Sequence, residues 1–211
     1  TIDYGPCAFI DNYKSDKVFS SIDSMGRYSY KNQPNILMWN MACFASTLVP
    51  LLEGSEEKKV DILQKEISSI PEKYKSKWLI EFSKKIGLKN VYPENEILIN
   101  RFLEILESEN LDFTNSFRAL IKEVESSNEL ISKTDTFKSW KNDWKNLIKN
   151  KSNQKEVCKT ITSNNPAFIM RNHLVEQIIQ ELLTDKKDTL NKALECIENP
   201  FEKIKHYFKN I

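Results

Sequence analysis

Hydrophobic positions in this chain recur mostly at intervals of three and four, the spacing that gathers side chains on one face of an α-helix. Tyr74, Trp78, Leu79, Phe82 and Ile86 follow it, as do Ile97, Leu98, Phe102, Ile105 and Leu106. Phe117, Leu120, Ile121 and Val124 form a shorter stripe, and Phe137, Trp140, Trp144, Leu147 and Ile148 a longer one. Phe168, Val175, Ile178, Ile179 and Leu182 make the last. Punctuation falls between the stripes. Gly54-Ser55 stops one helix and caps the next, near Glu56–Ser69. Pro71 opens another that Gly87 ends, and Pro93 opens its successor. Asp112 and Thr114 are candidate caps for the helix carrying Phe117, and Asn165-Pro166 for the last long one. The polar stretch 125–135 reads as a linker, and two short helices close the chain, the final one begun by Asn199-Pro200. The pattern predicts a mainly α fold of about nine or ten helices, with at most a short hairpin near Asp3.

Two segments depart from this rhythm. From Pro34 to about Leu52 the chain is apolar almost all round, which predicts a helix buried on most faces with Trp39 packed in the core. Asn40, Ser46, Thr47 and Pro50 interrupt it, and it is shorter than the roughly twenty apolar residues a membrane span needs. Residues 1–33 have no helical period. Asp11-Asn12, Ser20-Ser21 and Asp23-Ser24 are turn chemistry, and Met25-Gly26-Arg27-Tyr28 marks a bend. A long irregular segment in a compact domain is usually functional.

The 211 residues allow one large domain or two small ones, and 40% hydrophobic with 29% charged residues suits a soluble globular chain. A formal net charge of +1 gives no field to recruit nucleic acid or an anionic membrane. No basic-then-apolar leader opens the chain, so it reads as cytoplasmic. Cys7, Cys43, Cys158 and Cys196 are scattered without zinc spacing and are expected to be free thiols. His173 and His206 have no partner at catalytic or ligand spacing. Arginine is rare, which makes each one informative. Arg171 shares a helical face with Leu174, Val175 and Ile178, so it must find a carboxylate or carbonyl; a clamp between helices is expected. Arg118 reads the same way. Arg27 and Tyr28, in the irregular segment, are expected to order it or to meet a partner.

The chain begins Thr1-Ile2-Asp3-Tyr4-Gly5-Pro6. Such a string reads as the end of a buried strand delivering a carboxylate, followed by a turn, and in phosphoryl-transfer sites an Asp of this kind holds Mg²⁺. Three residues alone carry little weight. The longer strings DYGPCAFID (3–11), FSSIDSMGRYSYKNQP (19–34) and WNMA (39–42) resemble the selenoprotein O (SelO) family of kinase-fold proteins. KKIGL (84–88), DFTNSFRAL (112–120) and NNPAFIMRNHL (164–174) follow in the family's order.

This resemblance implies the C-terminal lobe of a protein-kinase-like fold with additional C-terminal helices. Residues 1–33 would be the metal-binding loop and activation segment, 34–124 the helical C-lobe with the 34–52 helix as its central post, and 136–211 a helical extension packed with it. It also implies a protein adenylyltransferase, which transfers AMP from ATP, with Mg²⁺ or Mn²⁺, to Ser, Thr or Tyr hydroxyls of acceptor proteins. Asp3 carries over as the metal and nucleotide ligand. The family's glycine-rich loop, Lys–Glu pair, further arginines, catalytic Asp and metal-binding Asn all precede the Asp-Tyr-Gly string. No catalytic residue is therefore expected here, and the chain is expected to be inactive without the N-terminal part of the enzyme. Some members carry a cysteine near the position of Phe19, and some end in a selenocysteine motif. This chain ends Lys209-Asn210-Ile211 and has Phe19 near that cysteine position, so a redox switch is not among the properties the resemblance is expected to carry over. The alternative is a non-catalytic helical interaction protein, or the remnant of a truncated or split gene.

Overall fold

The computed structural model describes residues 10–125, 131–151 and 153–202. Among them are nine α-helices and no strand: α1 Gln33–Leu48, α2 Glu56–Ser68, α3 Ile70–Lys85, α4 Pro93–Ser108, α5 Phe113–Glu125, α6 Asp135–Lys151, α7 Gln154–Asn164, α8 Asn172–Leu182 and α9 Asp188–Glu198. One isolated antiparallel bridge, Asn12 with Asp112, is the nearest thing to a hairpin. The mainly α expectation holds.

Local chemistry explains where the helices start. Ser55 caps α2 by accepting the Lys58 N–H at 3.4 Å, with Glu56 and Glu57 at the positive end of the helix dipole. Asp112 caps α5 through the Asn115 N–H at 2.7 Å, and Asn153 caps α7 through the Glu156 N–H at 2.9 Å. Pro34 and Pro93 occupy the first turns of α1 and α4, where a missing N–H costs nothing.

One expected start is displaced. The last long helix begins at Asn172, not at Asn165-Pro166. The Asn165 side chain turns the other way, donating to the Ile161 and Lys85 carbonyls at 2.9 Å each, so it closes α7 instead of opening α8. Phe168 accordingly sits in the connection, and α8 buries Leu174 and Ile178 while Val175 and Ile179 are exposed. Helix α7 escaped the pattern because Val157 and Ile161 are the only large apolar residues in its polar run. The expected last helix, begun at Asn199-Pro200, falls mostly outside the described residues.

The chain divides into two compact units, Lys14–Leu79 and Thr1–Tyr13 with Ile80–Ile211. In the first, α1 packs on α2, and only Ile36 and Ala45 of α1 are buried. The expectation of a helix buried on most faces is overturned, as is a core position for Trp39, which is 54% exposed. A helix that is apolar all round does not encode which side meets a neighbour, and here α2 and the connecting turns cover a narrow strip.

In the second unit α4 takes the central place. Leu98, Phe102 and Ile105 lie beside Ile99, Leu103 and Leu106, so two adjacent stripes are buried at once. Helix α6 packs against it and α5 packs on α7. Phe102 stacks on Trp140 with centroids 4.4 Å apart and meets Phe117 edge-on at 5.0 Å. Trp140 stacks in turn on Trp144 at 5.4 Å. Both indoles are fully buried, and each satisfies its N–H on a backbone carbonyl, Leu98 and Ile86 respectively, at 2.8 Å. Helices α8 and α9 close a smaller cluster around Phe168, Leu174, Ile178, Ala193 and Cys196.

Candidate functional site

Asp3, the residue to which metal and nucleotide binding were assigned, lies outside the described residues, with Tyr4, Gly5 and Cys7. The described residues begin at Ile10, and the first ordered contacts are made by residues 11–13. The Phe113 N–H donates to the Asp11 carbonyl at 2.8 Å and the Tyr13 N–H to the Leu111 carbonyl at 2.9 Å, fixing residues 11–13 antiparallel to 111–113. Tyr13 is buried and stacks on Phe113 at 5.7 Å. Burial, with the nearby Glu107 carboxylate, pushes its phenol up to about 12.

Arg171 completes this anchor. It is the residue before the first turn of α8, is 7% exposed, and donates through Nη1 to Asp11 Oδ1 and, at 2.7 Å, to Asp112 Oδ2. Burial by itself lowers the guanidinium pKa, but the bonds and charges of Asp112 and Asp11 outweigh it and leave it raised. Asp112 thus works three ways: Oδ1 caps α5, Oδ2 receives Arg171, and its backbone faces Asn12. The carboxylate partner expected for Arg171 is present twice, although both lie outside the helix stripe that suggested it. Asp11 was legible as turn chemistry and Asp112 as a cap; nothing in the sequence pattern joins them.

Two other cations are held nearby in the same unit. Arg118 donates to the Thr162 and Asn165 carbonyls at 3.0 and 2.8 Å and to the Phe201 carbonyl at 3.3 Å, a structural clamp as expected. Lys85 lies over the Phe113 and Phe117 rings, 5.6 and 5.3 Å from their centroids, and donates to Asn165 Oδ1 at 3.2 Å. Burial pulls its ammonium down to about 8, against an opposing effect of Glu81. Only its position distinguishes it from the exposed-pair Lys84 beside it.

In the other unit the segment around Arg27 is closely ordered. The Asp23 carboxylate accepts the Arg27 and Tyr28 N–H groups at 2.8 Å each, and Gln33 Nε2 donates to the Tyr28 carbonyl at 2.6 Å. The Arg27 guanidinium lies 4.6 Å from the Trp39 ring centroid and 5.8 Å from that of Tyr28. Ile22 and Met25, on the same segment, are each 90% exposed.

Among the described residues no group of three or more His, Cys, Asp or Glu could hold a metal ion. Of the two acidic residues in the first thirteen, Asp11 is engaged by Arg171, which leaves Asp3 as that stretch's other carboxylate. Cys43, Cys158 and Cys196 form no disulfide, and His173 is exposed; Cys7 and His206 lie outside the described residues. No described helix is long and apolar enough to cross a membrane.

The family model of Protein adenylyltransferase SelO matches residues 1–199. The chain is 38% identical over 203 residues to the Protein nucleotidyltransferase YdiU of Bacillus cereus (strain G9842), covering 95% of this chain and 41% of that protein. The protein of the same name from Clostridium perfringens (strain 13 / Type A) is 39% identical over 202 residues, with the same coverage of 95% and 41%. The chain therefore spans well under half the length of these relatives, and it belongs to the SelO family.

Proposed function

We propose that this member of the SelO family forms the C-terminal portion of a protein adenylyltransferase that passes AMP from ATP to Ser, Thr or Tyr hydroxyls of acceptor proteins in the cytoplasm. In that transfer the acceptor oxygen bonds to the α-phosphorus, pyrophosphate leaves and the hydroxyl proton passes to a base; no residue of this chain is assigned that role. The observation that carries the reading is the match of the SelO family model to residues 1–199, which includes the Asp-Tyr-Gly string; the backbone bonds that fix residues 11–13 against 111–113 support it.

On this reading Asp3 holds the divalent ion and, through it, the nucleotide. The donor chemistry fits: Mg²⁺ and Mn²⁺ prefer carboxylate oxygen, and one or two protein ligands suffice when phosphates supply the others. When bound, the ion would neutralise charge on the phosphate oxygens. Residues 34–124 would form the C-lobe of a kinase-like fold and 136–211 its extension. The ordered Asp23–Gln33 segment, with Arg27 and Tyr28 held and Ile22 and Met25 exposed, supports a surface that meets the acceptor protein.

These 211 residues alone are proposed to be inactive. A triphosphate carries several negative charges, and Asp3 adds another instead of balancing them. The exposed apolar side chains of α1, Trp39 and Phe44 among them, support completion by the remaining length that the relatives possess. The same exposure would also suit the second reading, a helical interaction protein without activity. Two measurements separate them. In the full-length protein, with the region its relatives carry joined ahead of Thr1, Asp3→Ala should abolish transfer of labelled AMP while leaving Tm nearly unchanged. The 211 residues alone should give no saturable ATP signal in a titration with Mg²⁺. Full activity of the Asp3→Ala protein would overturn the assignment.

A further inference from the structure

We propose that the loop 18–29 is a preformed docking finger for acceptor proteins: its apolar tip, Ile22 and Met25, receives large apolar side chains, and the cations of the same segment select acceptors rich in Asp and Glu. The inference rests on the adenylyltransferase reading above and names the class of acceptor it would use.

The backbone closes this loop on itself. The Tyr30 N–H donates to the Lys17 carbonyl at 2.9 Å and the Lys31 N–H to the Ser15 carbonyl at 2.8 Å, which joins the two ends at a neck. Between them the N–H groups of Asp23, Gly26 and Ser29 donate to the carbonyls of Ser20, Asp23 and Gly26 at 3.1, 3.2 and 3.1 Å, three turns in succession. Gly26 supplies the left-handed backbone between the last two, with φ +67°. Compact surface loops with joined ends are frequently functional. Here the order of the backbone contrasts with the exposure of the tip, for Ile22 and Met25 are each 90% exposed. A partner that covers them gains apolar burial without the entropy of ordering the loop.

Charge identifies the partner. The segment 14–31 carries Lys14, Lys17, Arg27 and Lys31 against Asp16 and Asp23. Asp23 is engaged by two backbone N–H groups, and Arg27 lies over the Trp39 and Tyr28 rings. Among the described residues none of the four cations has an ion-pair partner. An apolar tip on a segment of uncompensated cations attracts an acidic surface and repels a basic one. A lipid surface has no shape to match, so a backbone locked in successive turns favours a protein partner.

Two synthetic peptides serve as probes, one with a single Ser among Leu and Glu, the other with Lys in place of Glu. In fluorescence anisotropy the 211-residue chain should bind the Glu peptide about tenfold more tightly than the Lys peptide, and salt should narrow the difference. Ile22→Ser with Met25→Ser should weaken binding of the Glu peptide about tenfold, and Lys17→Glu with Lys31→Glu should abolish the preference. Both serine substitutions fall at the exposed tip, so that variant should fold. In the full-length protein it should raise the KM of the Glu peptide in AMP transfer about tenfold and leave that of ATP unaltered. Equal affinity for the two peptides, or unaltered affinity in the serine variant, would overturn the proposal. So would binding to phosphatidylserine–phosphatidylcholine vesicles in place of the Glu peptide, or a dimer in sedimentation that the serine variant dissolves. A full-length serine variant with lowered Tm and unaltered peptide KM would mean that the rest of the protein covers the tip, and would likewise overturn it. If the peptide preference holds but the full-length protein transfers no AMP, the docking surface stands and the adenylyltransferase reading falls.

Discussion

Trp144 donates its indole N–H to the carbonyl of Ile86 at 2.8 Å, tying the middle of α6 to the end of α3. Carbonyls at a helix C-terminus lack an intrahelical donor, and here a buried side chain supplies one. Trp144→Phe keeps most of the stacking on Trp140 but removes that donor, and should cost about 1–2 kcal/mol in denaturant unfolding. Trp144→Ala adds a cavity and should cost about 3–5 kcal/mol. Unchanged stability in Trp144→Phe would mean that the hydrogen bond contributes nothing.

Gly87, the next residue, turns the chain with φ near +89°, and a Cβ there would stand 2.6 Å from Val157 Cγ1 and 3.2 Å from Ile161. Both the left-handed backbone and the close approach of α7 demand glycine. Gly87→Ala should destabilise by roughly 2–4 kcal/mol. Adding Val157→Ala should bring no recovery of the backbone strain but some of the clash, so the double variant should lose less than the sum of the singles.

Lys85 should give stability a measurable pH dependence. Its folded pKa of about 8 lies below the ordinary 10.5, so between those values the unfolded chain binds more protons than the folded one. Stability contributed by this group therefore rises as pH climbs from about 8 towards 10.5, where the folded state no longer buries a charge. Measured against Lys85→Met, which cancels other titrations, the wild type should gain about 2 kcal/mol across that window. A constant difference between the two proteins would show that Lys85 keeps its charge at no cost.

Trp39→Ala should be mild for so large a ring. More than half exposed, Trp39 contributes mainly its contact with Arg27, so a loss of about 0.5–1 kcal/mol is expected, and a double-mutant cycle with Arg27→Ala should return a coupling of similar size. A loss of several kcal/mol would place Trp39 in a core after all.

The sequence made helices legible wherever a stripe coincided with a cap: Ser55, Pro93 and Asp112 open α2, α4 and α5 as their chemistry requires. It misled where a residue had two possible uses. Asn165 can cap a following helix or close a preceding one, and only the approach of Lys85 and Ile161 decides that it does the second. It was silent where polarity hid a helix, as in α7, and where apolarity lacked direction, as in α1. For the candidate site, Arg171 announced a need for a partner, but pairing Asp11 with Asp112 is a tertiary fact. The family strings named Asp3; the contacts of Arg171 with Asp11 and Asp112 were visible only once the helices were folded.

The separation between Asp11 and Arg171 also sets a clock on synthesis. Asp11 leaves the ribosome 160 residues ahead of the guanidinium it needs. At roughly 5–20 residues per second, that is a wait of about ten to thirty seconds. Helices such as α4 and α5 can dock within microseconds to milliseconds of emerging. The segment at Asp11 is thus made well before the residue that secures it, and a nascent chain halted before residue 171 would carry residues 11–13 without that ion pair.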